Sequence, residues 1–260
     1  MKKTMTQMKV INKYLKTEVI SFGFFIALIS IFFSCQVEQL TAKQIIEKAV
    51  ETHGSLDAWN NIDQLSFDKE TTLFNEGGSI EIKTDQFQLF RPKPKLFGKI
   101  EWESNGKDIV IVYDNEQVSK IINDSIITSE DELEKAKNSF FAAQYVIVQP
   151  FALLDNNTEL TLNGVEDIEG KNVYSISVKY ESDTEDSNKW TYYIDTDTFE
   201  VLFNKVELSD HTSWVENLTF NTETDFKFYS HRKSYRLNEK GEKTYLRAEY
   251  FYSNYKIIYK

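Results

Sequence analysis

The side chains that could do chemistry in this 260-residue chain are few and scattered. Its three histidines, His53, His211 and His231, fall on three different predicted elements, and we interpret the first as a helix-end residue favourable to the helix dipole and His211 as part of a surface loop. The sequence has no Gly-x-Ser-x-Gly elbow, no His-Glu-x-x-His zinc helix and no glycine-rich phosphate loop with a lysine. We therefore predict no catalytic residues and a protein that is not an enzyme.

Asp195, Asp197 and Glu200 are spaced in a way that invites a calcium site, because a hard cation needs several oxygen ligands. The segment lacks the glycine and the twelve-residue spacing of an EF-hand loop, and aspartate is also favoured in turns between strands. We predict a turn here, with no metal and no cofactor. Hydrolysis by converging carboxylates such as Asp195 and Glu200 is the least favoured function.

Cys35 is the only cysteine, and its position suggests a different chemistry. Five lysines among residues 1–18 precede an apolar run from Val19 to Phe33, which is the layout of a secretory signal peptide. That run has fifteen residues, whereas a membrane-spanning helix needs about 20. Ser34 and Cys35 end a stretch that resembles the lipobox of bacterial lipoproteins, with phenylalanines where the common pattern has an aliphatic and a small residue. The resemblance implies cleavage before Cys35 and acylation of its sulfur.

We thus predict a signal peptide at residues 1–34, a tether at residues 35–40 and a single domain at residues 41–260. Two or more acyl chains hold a protein stably in a membrane, so we expect a lipid anchor in the cell envelope. Gln36, in place of an aspartate after the cysteine, is compatible with passage to the outer membrane. The membrane face and the oligomeric state stay open.

The net charge of the chain limits the classes of partner that it can bind. The chain has 30 basic and 41 acidic residues, and without residues 1–34 the balance becomes 25 against 40, a formal charge of −15. Nucleic-acid binding needs a basic surface that displaces counterions from phosphates, so we predict no nucleic-acid partner. An acidic domain beside a membrane fits attachment by lipid better than adhesion to anionic headgroups.

Two helices are indicated by capping patterns. Thr41 with Gln44 forms a capping box before apolar residues at helical spacing, and Gly54 supplies a stop, which predicts a helix over about 42–53. Ser129 with Glu132 forms a second such pattern before an apolar stretch at residues 140–154 that Pro150 divides. This stretch is too short and interrupted to span a bilayer, so we expect it to be buried or to cover something apolar.

Elsewhere the hydrophobic period is two, with one apolar and one polar face, as in an antiparallel sheet that is covered on one side. The predicted strands cover about 64–74, 79–90, 96–104, 108–114, 117–122, 124–128, 174–180, 190–194, 199–203 and 246–252. We therefore expect a mainly β (α+β) domain.

The order of these elements resembles the LolA-like superfamily. The local likeness lies in Ile45–Phe67, which includes His-Gly-Ser-Leu-Asp-Ala-Trp, and in Phe151–Leu154 and Tyr193–Phe199. The resemblance implies an open antiparallel half-barrel of about ten to eleven strands, wrapped around an N-terminal helix and a central helical lid. It also implies lipid or lipoprotein binding, and the anchor implies a protein that receives, stores or senses a lipid in place.

An aromatic-rich set of residues could line an apolar cavity of the kind that small-molecule sites use, although the same residues could equally form ordinary core. The candidates are Trp102, Phe140, Phe141, Tyr145, Phe151, Leu153, Trp190, Tyr192 and Tyr250. The favoured function is binding of an acyl chain, lipid or lipoprotein. The alternative from another class is an envelope protein–protein interaction module that uses its acidic surface and has no lipid cavity.

Overall fold

The first helix, α1, extends over Ala42–His53 as predicted, and local sequence sets both of its ends. Thr41 Oγ1 accepts a hydrogen bond from the Gln44 N–H at 3.2 Å, and Gln44 Oε1 accepts one from the Thr41 N–H at 2.8 Å. This reciprocal pair is the predicted capping box. Gly54 ends the helix with φ at 130°, and a Cβ at that position would lie 2.5 Å from Cδ1 of Phe226. A side chain there would both strain the backbone and clash.

The structure, a computed structural model, describes residues 39–182, 184 and 187–260. The predicted signal peptide, the acylation site Cys35 and most of the predicted tether lie outside the described residues. Thr41–Lys260 form one compact unit.

Three further helical segments follow α1: α2 at Leu56–Asn60, α3 at Glu130–Ile147 and a 3-10 helix at Phe151–Leu154. The strands are β1 Ile62–Phe74, β2 Ile80–Arg91, β3 Phe97–Ser104, β4 Lys107–Asp114, β5 Gln117–Ile122, β6 Ser125–Ile126, β7 Thr158–Ile168, β8 Lys171–Tyr180, β9 Lys189–Asp195, β10 Val201–Glu207, β11 Thr212–Phe220, β12 Tyr229–Leu237 and β13 Lys243–Tyr259.

All thirteen strands belong to one sheet in the order β6-β5-β4-β3-β2-β1-β13-β12-β11-β10-β9-β8-β7. Every paired neighbour is antiparallel, and the two edge strands β6 and β7 do not pair with each other. The chain between these edges contains α3 and the 3-10 helix. The predicted mainly β fold with an open antiparallel sheet is therefore confirmed.

The sheet has more strands than the ten to eleven expected, because β7, β11 and β12 lack a clean alternation in sequence. On β11, five consecutive residues from Ser213 to Asn217 are buried, so both faces of this strand are covered. On β12, Arg232, Ser234 and Arg236 share the face toward α3, which gives the strand a polar pattern on both sides. The register of β7 shifts near Gly164.

His53 joins α1 to the sheet, and its side chain is 1% exposed. The Val201 N–H donates to Nε2 at 3.2 Å, so Nδ1 carries the proton and donates to the Lys227 carbonyl at 2.9 Å. Desolvation by burial lowers the pKa of His53 from 6.5 to about 4. The predicted charge–dipole role is wrong, because this imidazole is neutral and instead connects three parts of the chain.

Helix α3 begins where predicted, but its capping box does not form. Ser129 makes no side-chain cap hydrogen bond. Glu132 turns instead toward Lys120 on β5, with Nζ and Oε2 2.6 Å apart, and toward Lys135. The hydrogen bond from Lys120 and then that from Lys135 lower the pKa of Glu132 to about 2. Two opposite charges attract this carboxylate more strongly than the backbone of Ser129 does.

The middle of α3 is anchored by Phe140, which is 0% exposed. Its ring lies over Gly98 of β3, where a Cβ would be only 2.5 Å from the Phe140 Cε2 atom. The ring also stacks on Tyr113 with centroids 4.9 Å apart and contacts Phe90 at 5.6 Å. Gly98 thus allows the helix to approach the sheet closely.

A smaller apolar cluster lies on the opposite face of the second half of the sheet, since Tyr193 and Trp214 neighbour residues that face α3. The turn between β7 and β8 reaches this side, and Lys243 Nζ lies 2.6 Å from Glu169 Oε1. The cluster comprises Val173, Tyr193, Leu202, Phe203 and Trp214.

Acidification should destabilise the fold through His53. The unfolded chain protonates this histidine below a pKa of about 6.5, whereas the folded chain does so only below about 4. The folded state therefore binds fewer protons in this interval, so stability falls as the pH decreases, by about 3 kcal/mol in total. Urea unfolding across this pH range should show a flatter profile for His53→Gln than for the wild type. Equal slopes for the two proteins would contradict the assignment.

Truncating Phe140, which holds α3 against the sheet, should greatly reduce the stability of the fold. Phe140→Ala removes a fully buried ring and leaves a cavity over Gly98, so we expect the free energy of unfolding to fall by about 3–5 kcal/mol in urea titrations followed by circular dichroism. The neighbouring variant Phe141→Ala truncates a half-buried ring and should cost clearly less. Equal losses would show that Phe140 is not the principal anchor.

Candidate ligand-binding site

A cavity of about 970 Å³ lies between α3 and the face of the sheet that this helix covers. Strands β1 to β4 and β9 to β13, which are consecutive in the sheet, line it, so both halves of the sheet contribute. Asn138, Ser139 and Asn188 line the cavity and are themselves exposed, so it opens to solvent there. The volume lies within the range of about 300–1,000 Å³ that is typical of small-molecule sites.

The walls are mostly apolar because alternate residues of each strand face α3. Trp190 and Tyr192 of β9 illustrate the spacing, since both line the cavity. The residues of α3 that line the cavity include Ala142, Ala143 and Val146, whose small side chains leave room between helix and sheet. The space therefore arises from small residues opposite large aromatic ones.

Three tyrosines meet near the last turn of α3, and two of them, Tyr145 and Tyr192, line the cavity. The Tyr145 hydroxyl lies 2.8 Å from that of Tyr192 and 3.0 Å from that of Tyr180. The ring of Tyr145 also packs on Trp190, with centroids 4.5 Å apart. Burial is the largest cause that raises the pKa of Tyr145 and of Tyr192 above their ordinary value. The hydroxyls of Tyr145 and Tyr192 are therefore neutral near pH 7, and the contacts among the three tyrosines fix α3 to β8 and β9.

A second, more open cavity of about 660 Å³ lies beyond this tyrosine cluster and shares Tyr145, Gln149 and Trp190 with the first. Gln149 is 6% exposed, and neither its Nε2 nor its Oε1 atom has a hydrogen-bond partner among the described residues. An unpaired buried amide costs about 1–3 kcal/mol. Gln149 is thus a polar group in the cavity wall whose amide nitrogen and oxygen are both unpaired among the described residues.

The charged part of the polar lining is basic, beside neutral Thr, Ser, Asn and Gln side chains and His211. Lys69 on β1, Arg232 and Arg236 on β12 and Arg247 on β13 all line the cavity, whereas no Asp or Glu of the described residues does. Arg247 forms an ion pair with Glu81. The cavity therefore has apolar walls and a positively charged side.

The structure divides the nine candidate residues from the sequence into two groups. Trp102, Tyr145, Trp190, Tyr192 and Tyr250 line the cavity, and their contact with a ligand stays a prediction.

The other four candidates, Phe140, Phe141, Phe151 and Leu153, lie outside this lining. Phe140 and Phe141 pack on Tyr113. Phe151 stacks on Trp59 with centroids 4.7 Å apart, and Leu153 is buried. These four side chains attach the segment 140–154 to the sheet and to the N-terminal helices.

The histidines and carboxylates that suggested chemistry have separate structural partners. His211 Nδ1 lies 2.7 Å from Asp210 Oδ1, and His231 Nε2 lies 2.7 Å from a carboxylate oxygen of Glu249. The predicted turn is present at Asp195, whose Oδ1 accepts hydrogen bonds from the N–H groups of residues 197 and 198 at 2.9 and 2.8 Å. Glu200 pairs with Lys227 at 2.6 Å, so the two carboxylates are each engaged elsewhere.

Within residues 39–182, 184 and 187–260, no group of three or more His, Cys, Asp or Glu side chains is placed to hold a metal ion. None of the helices described in these ranges is both long enough and apolar enough to cross a membrane.

The fold is similar to solved structures over most of the chain. A LolA superfamily protein from Nitrosomonas europaea superposes with a TM-score of 0.56 at 10% identity, covering 85% of this chain and 94% of that chain. A DUF1329 family protein from Desulfovibrio piger superposes with a TM-score of 0.53 at 13% identity, covering 84% and 94%. At such low identities the likeness concerns the fold alone, and it confirms the predicted LolA-like fold.

Sequence comparison assigns the family. A model of a family of unknown function, DUF6503, matches residues 21–257. The chain belongs to the DUF6503 family. No protein of curated function matches its sequence.

In this DUF6503 chain, sequence reasoning missed the basic side of the cavity and Gln149. The signal was present in β12, where Arg232, Ser234 and Arg236 alternate with other residues and so share one face. A polar alternation is usually interpreted as a solvated face, and only the position of α3 shows that this face is covered.

Proposed function

We propose that this chain is a lipid-anchored lipoprotein of the bacterial cell envelope that binds a hydrophobic ligand between the sheet and α3, without catalysing a reaction. The ligand class is an acyl chain, a lipid or the acylated end of a lipoprotein. Acylation of Cys35 places the protein in the envelope, with the outer membrane as the expected location.

The observation that carries the proposal is the open cavity of about 970 Å³. A sheet face that served only as core would be filled by side chains, as the interior around Phe140 is. Instead, small residues of α3 stand opposite the large rings of Trp102, Trp190 and Tyr192. Apolar walls of this extent suit an apolar ligand that enters from the solvent side.

A binding role is also supported by where the reactive side chains lie. His53 is neutral and is held by two backbone groups, and Asp195 and Glu200 have different partners. A base, a nucleophile and an oxyanion-binding group in one cleft would be needed for hydrolysis. His211 is the one histidine in the described cavity lining, and it pairs with Asp210. Ser213 Oγ, in the same lining, accepts a hydrogen bond from Arg236 Nη1.

Filling the cavity should remove the ligand. Full-length protein purified from cells should release a stoichiometric hydrophobic compound, detected by mass spectrometry after solvent extraction. Ala143→Trp places an indole in the space next to α3 and should reduce this yield at least tenfold without unfolding the sheet.

Lys137→Trp is the matched control, because residue 137 lies on the same helix, is exposed and does not line the cavity. It should leave the yield unchanged. Wild-type protein that repeatedly yields no such compound would contradict the proposed function, and so would equal yields from the two tryptophan variants.

The proposed lipid anchor at Cys35 can be tested separately from ligand binding. Cys35→Ser removes the only thiol, so the protein should lose its acyl chains and move from the membrane fraction to the aqueous phase in detergent phase partitioning. Ser34→Ala keeps a small residue before the cysteine and should leave partitioning unchanged. A Cys35→Ser protein that still enters the detergent phase would refute lipidation at this site.

A further inference from the structure

The cavity lining is positively charged, whereas the chain as a whole is negatively charged. The chain has 41 acidic and 30 basic residues, yet the lining has four Lys or Arg side chains and no acidic residue from the described part of the chain. A lining drawn at random from this composition would be negative on balance. The basic side is therefore a local feature that requires its own explanation.

Arg232 is the most buried of these cations, at 7% exposure. Its Nε donates to Asn217 Oδ1 at 2.8 Å, and the guanidinium lies over the ring of Tyr229, 4.6 Å from the centroid. Asn217 is itself fixed, because its Nδ2 donates to Val201 O at 2.9 Å and to Asn204 Oδ1 at 3.0 Å. This buried network holds the guanidinium in one orientation before any ligand binds.

Lys69 and Arg236 extend the positive charge to either side of Arg232. Lys69 Nζ lies 5.1 Å from the ring centroid of Tyr250, and Arg236 Nη1 donates to Ser213 Oγ at 2.5 Å. Neither residue, nor Arg232, forms an ion pair with a carboxylate in the part of the chain that the structure describes. Arg247 differs, because Glu81 neutralises it.

A buried cation without a counter-charge is unfavourable, since burial removes hydration that neutral partners replace only in part. A guanidinium also presents several N–H donors in a plane, a geometry that matches a carboxylate or a phosphate. An anion in the cavity would thus offset the cost of burying Arg232. Gln149, whose buried amide is unpaired on the helical side of the same cavity, offers a further polar contact.

We infer that the occupant of this cavity is an anionic amphiphile, whose carboxylate or phosphate binds Arg232, Arg236 and Lys69 while its acyl chain lies against the aromatic wall. This inference rests on the proposed function, because it assumes that the cavity takes an apolar chain. It adds the chemical class of the head group and the residues that select it.

Binding can be followed by quenching of the tryptophans that line the cavity, Trp102 and Trp190. The probes are a long-chain fatty acid brominated at mid-chain and the alcohol of the same chain, added to full-length protein kept soluble in an amphipathic polymer. Both should quench, and the acid should bind at least about tenfold more tightly, as expected for one added charge-assisted contact. Inorganic phosphate alone should not displace the acid at millimolar concentration.

Arg232→Gln, Arg236→Gln and Lys69→Gln should each reduce the preference for the acid over the alcohol severalfold. Lys233→Gln is the matched control, because Lys233 lies on β12 beside Arg232 but outside the cavity lining. If Arg232→Gln fails to fold, the half-buried Arg236 and Lys69 still test the assignment.

Equal affinity for acid and alcohol would overturn the inference while leaving the proposed function intact. Quenching by neither probe would refute both. Displacement of the acid by inorganic phosphate would show a free-anion site and would overturn the assignment to an amphiphile.

Discussion

An open antiparallel sheet must cover its apolar face without closing on itself, and most features of this molecule follow from that constraint. The edge strands β6 and β7 do not pair, and the chain between them supplies α3 and the 3-10 helix. Because one helix covers much of the face, its attachment decides how much space lies beneath it. Lys120, Gly98 and Tyr192 meet the start, middle and end of α3. Between these points the helix carries alanines, and the cavity results.

Two buried polar arrangements have opposite consequences for charge. His53 is buried between backbone groups that accept and donate one hydrogen bond each, so the neutral imidazole is satisfied and protonation is disfavoured. Arg232 has neutral partners, yet it keeps its charge because a guanidinium does not lose its proton in proteins. The hydrogen bonds of His53 are therefore satisfied within the described fold. Arg232, in contrast, carries a positive charge that a ligand can neutralise.

The likeness to LolA-like structures concerns architecture, and function must come from the site. The cavity combines an aromatic wall, neutral tyrosine hydroxyls and a basic side. A simple apolar carrier would need only the first of these. The basic side supports selection of the ligand by its head group, in a chain whose overall charge is negative.

Local sequence was sufficient for features that depend on nearby residues. The ends of α1 follow from Thr41, Gln44 and Gly54, and the turn at Asp195 follows from a side chain that binds its own backbone. Ten strands followed from alternation in the sequence and from the turn residues between them. The strands that were missed, such as β11 and β12, are covered on both faces or carry polar residues inward.

The sequence by itself determined the open β architecture, the helix caps and an aromatic-rich set from which the cavity wall is drawn. Only the tertiary structure decided which members of that set face the cavity: Tyr145 does, whereas Phe140, five positions earlier on the same helix, fills the space over Gly98. It alone also placed Arg232, Arg236 and Lys69 on one wall. The physical reason is that spacing fixes which side chains share a face, whereas the packing of α3 across the sheet determines whether that face meets protein, ligand or water.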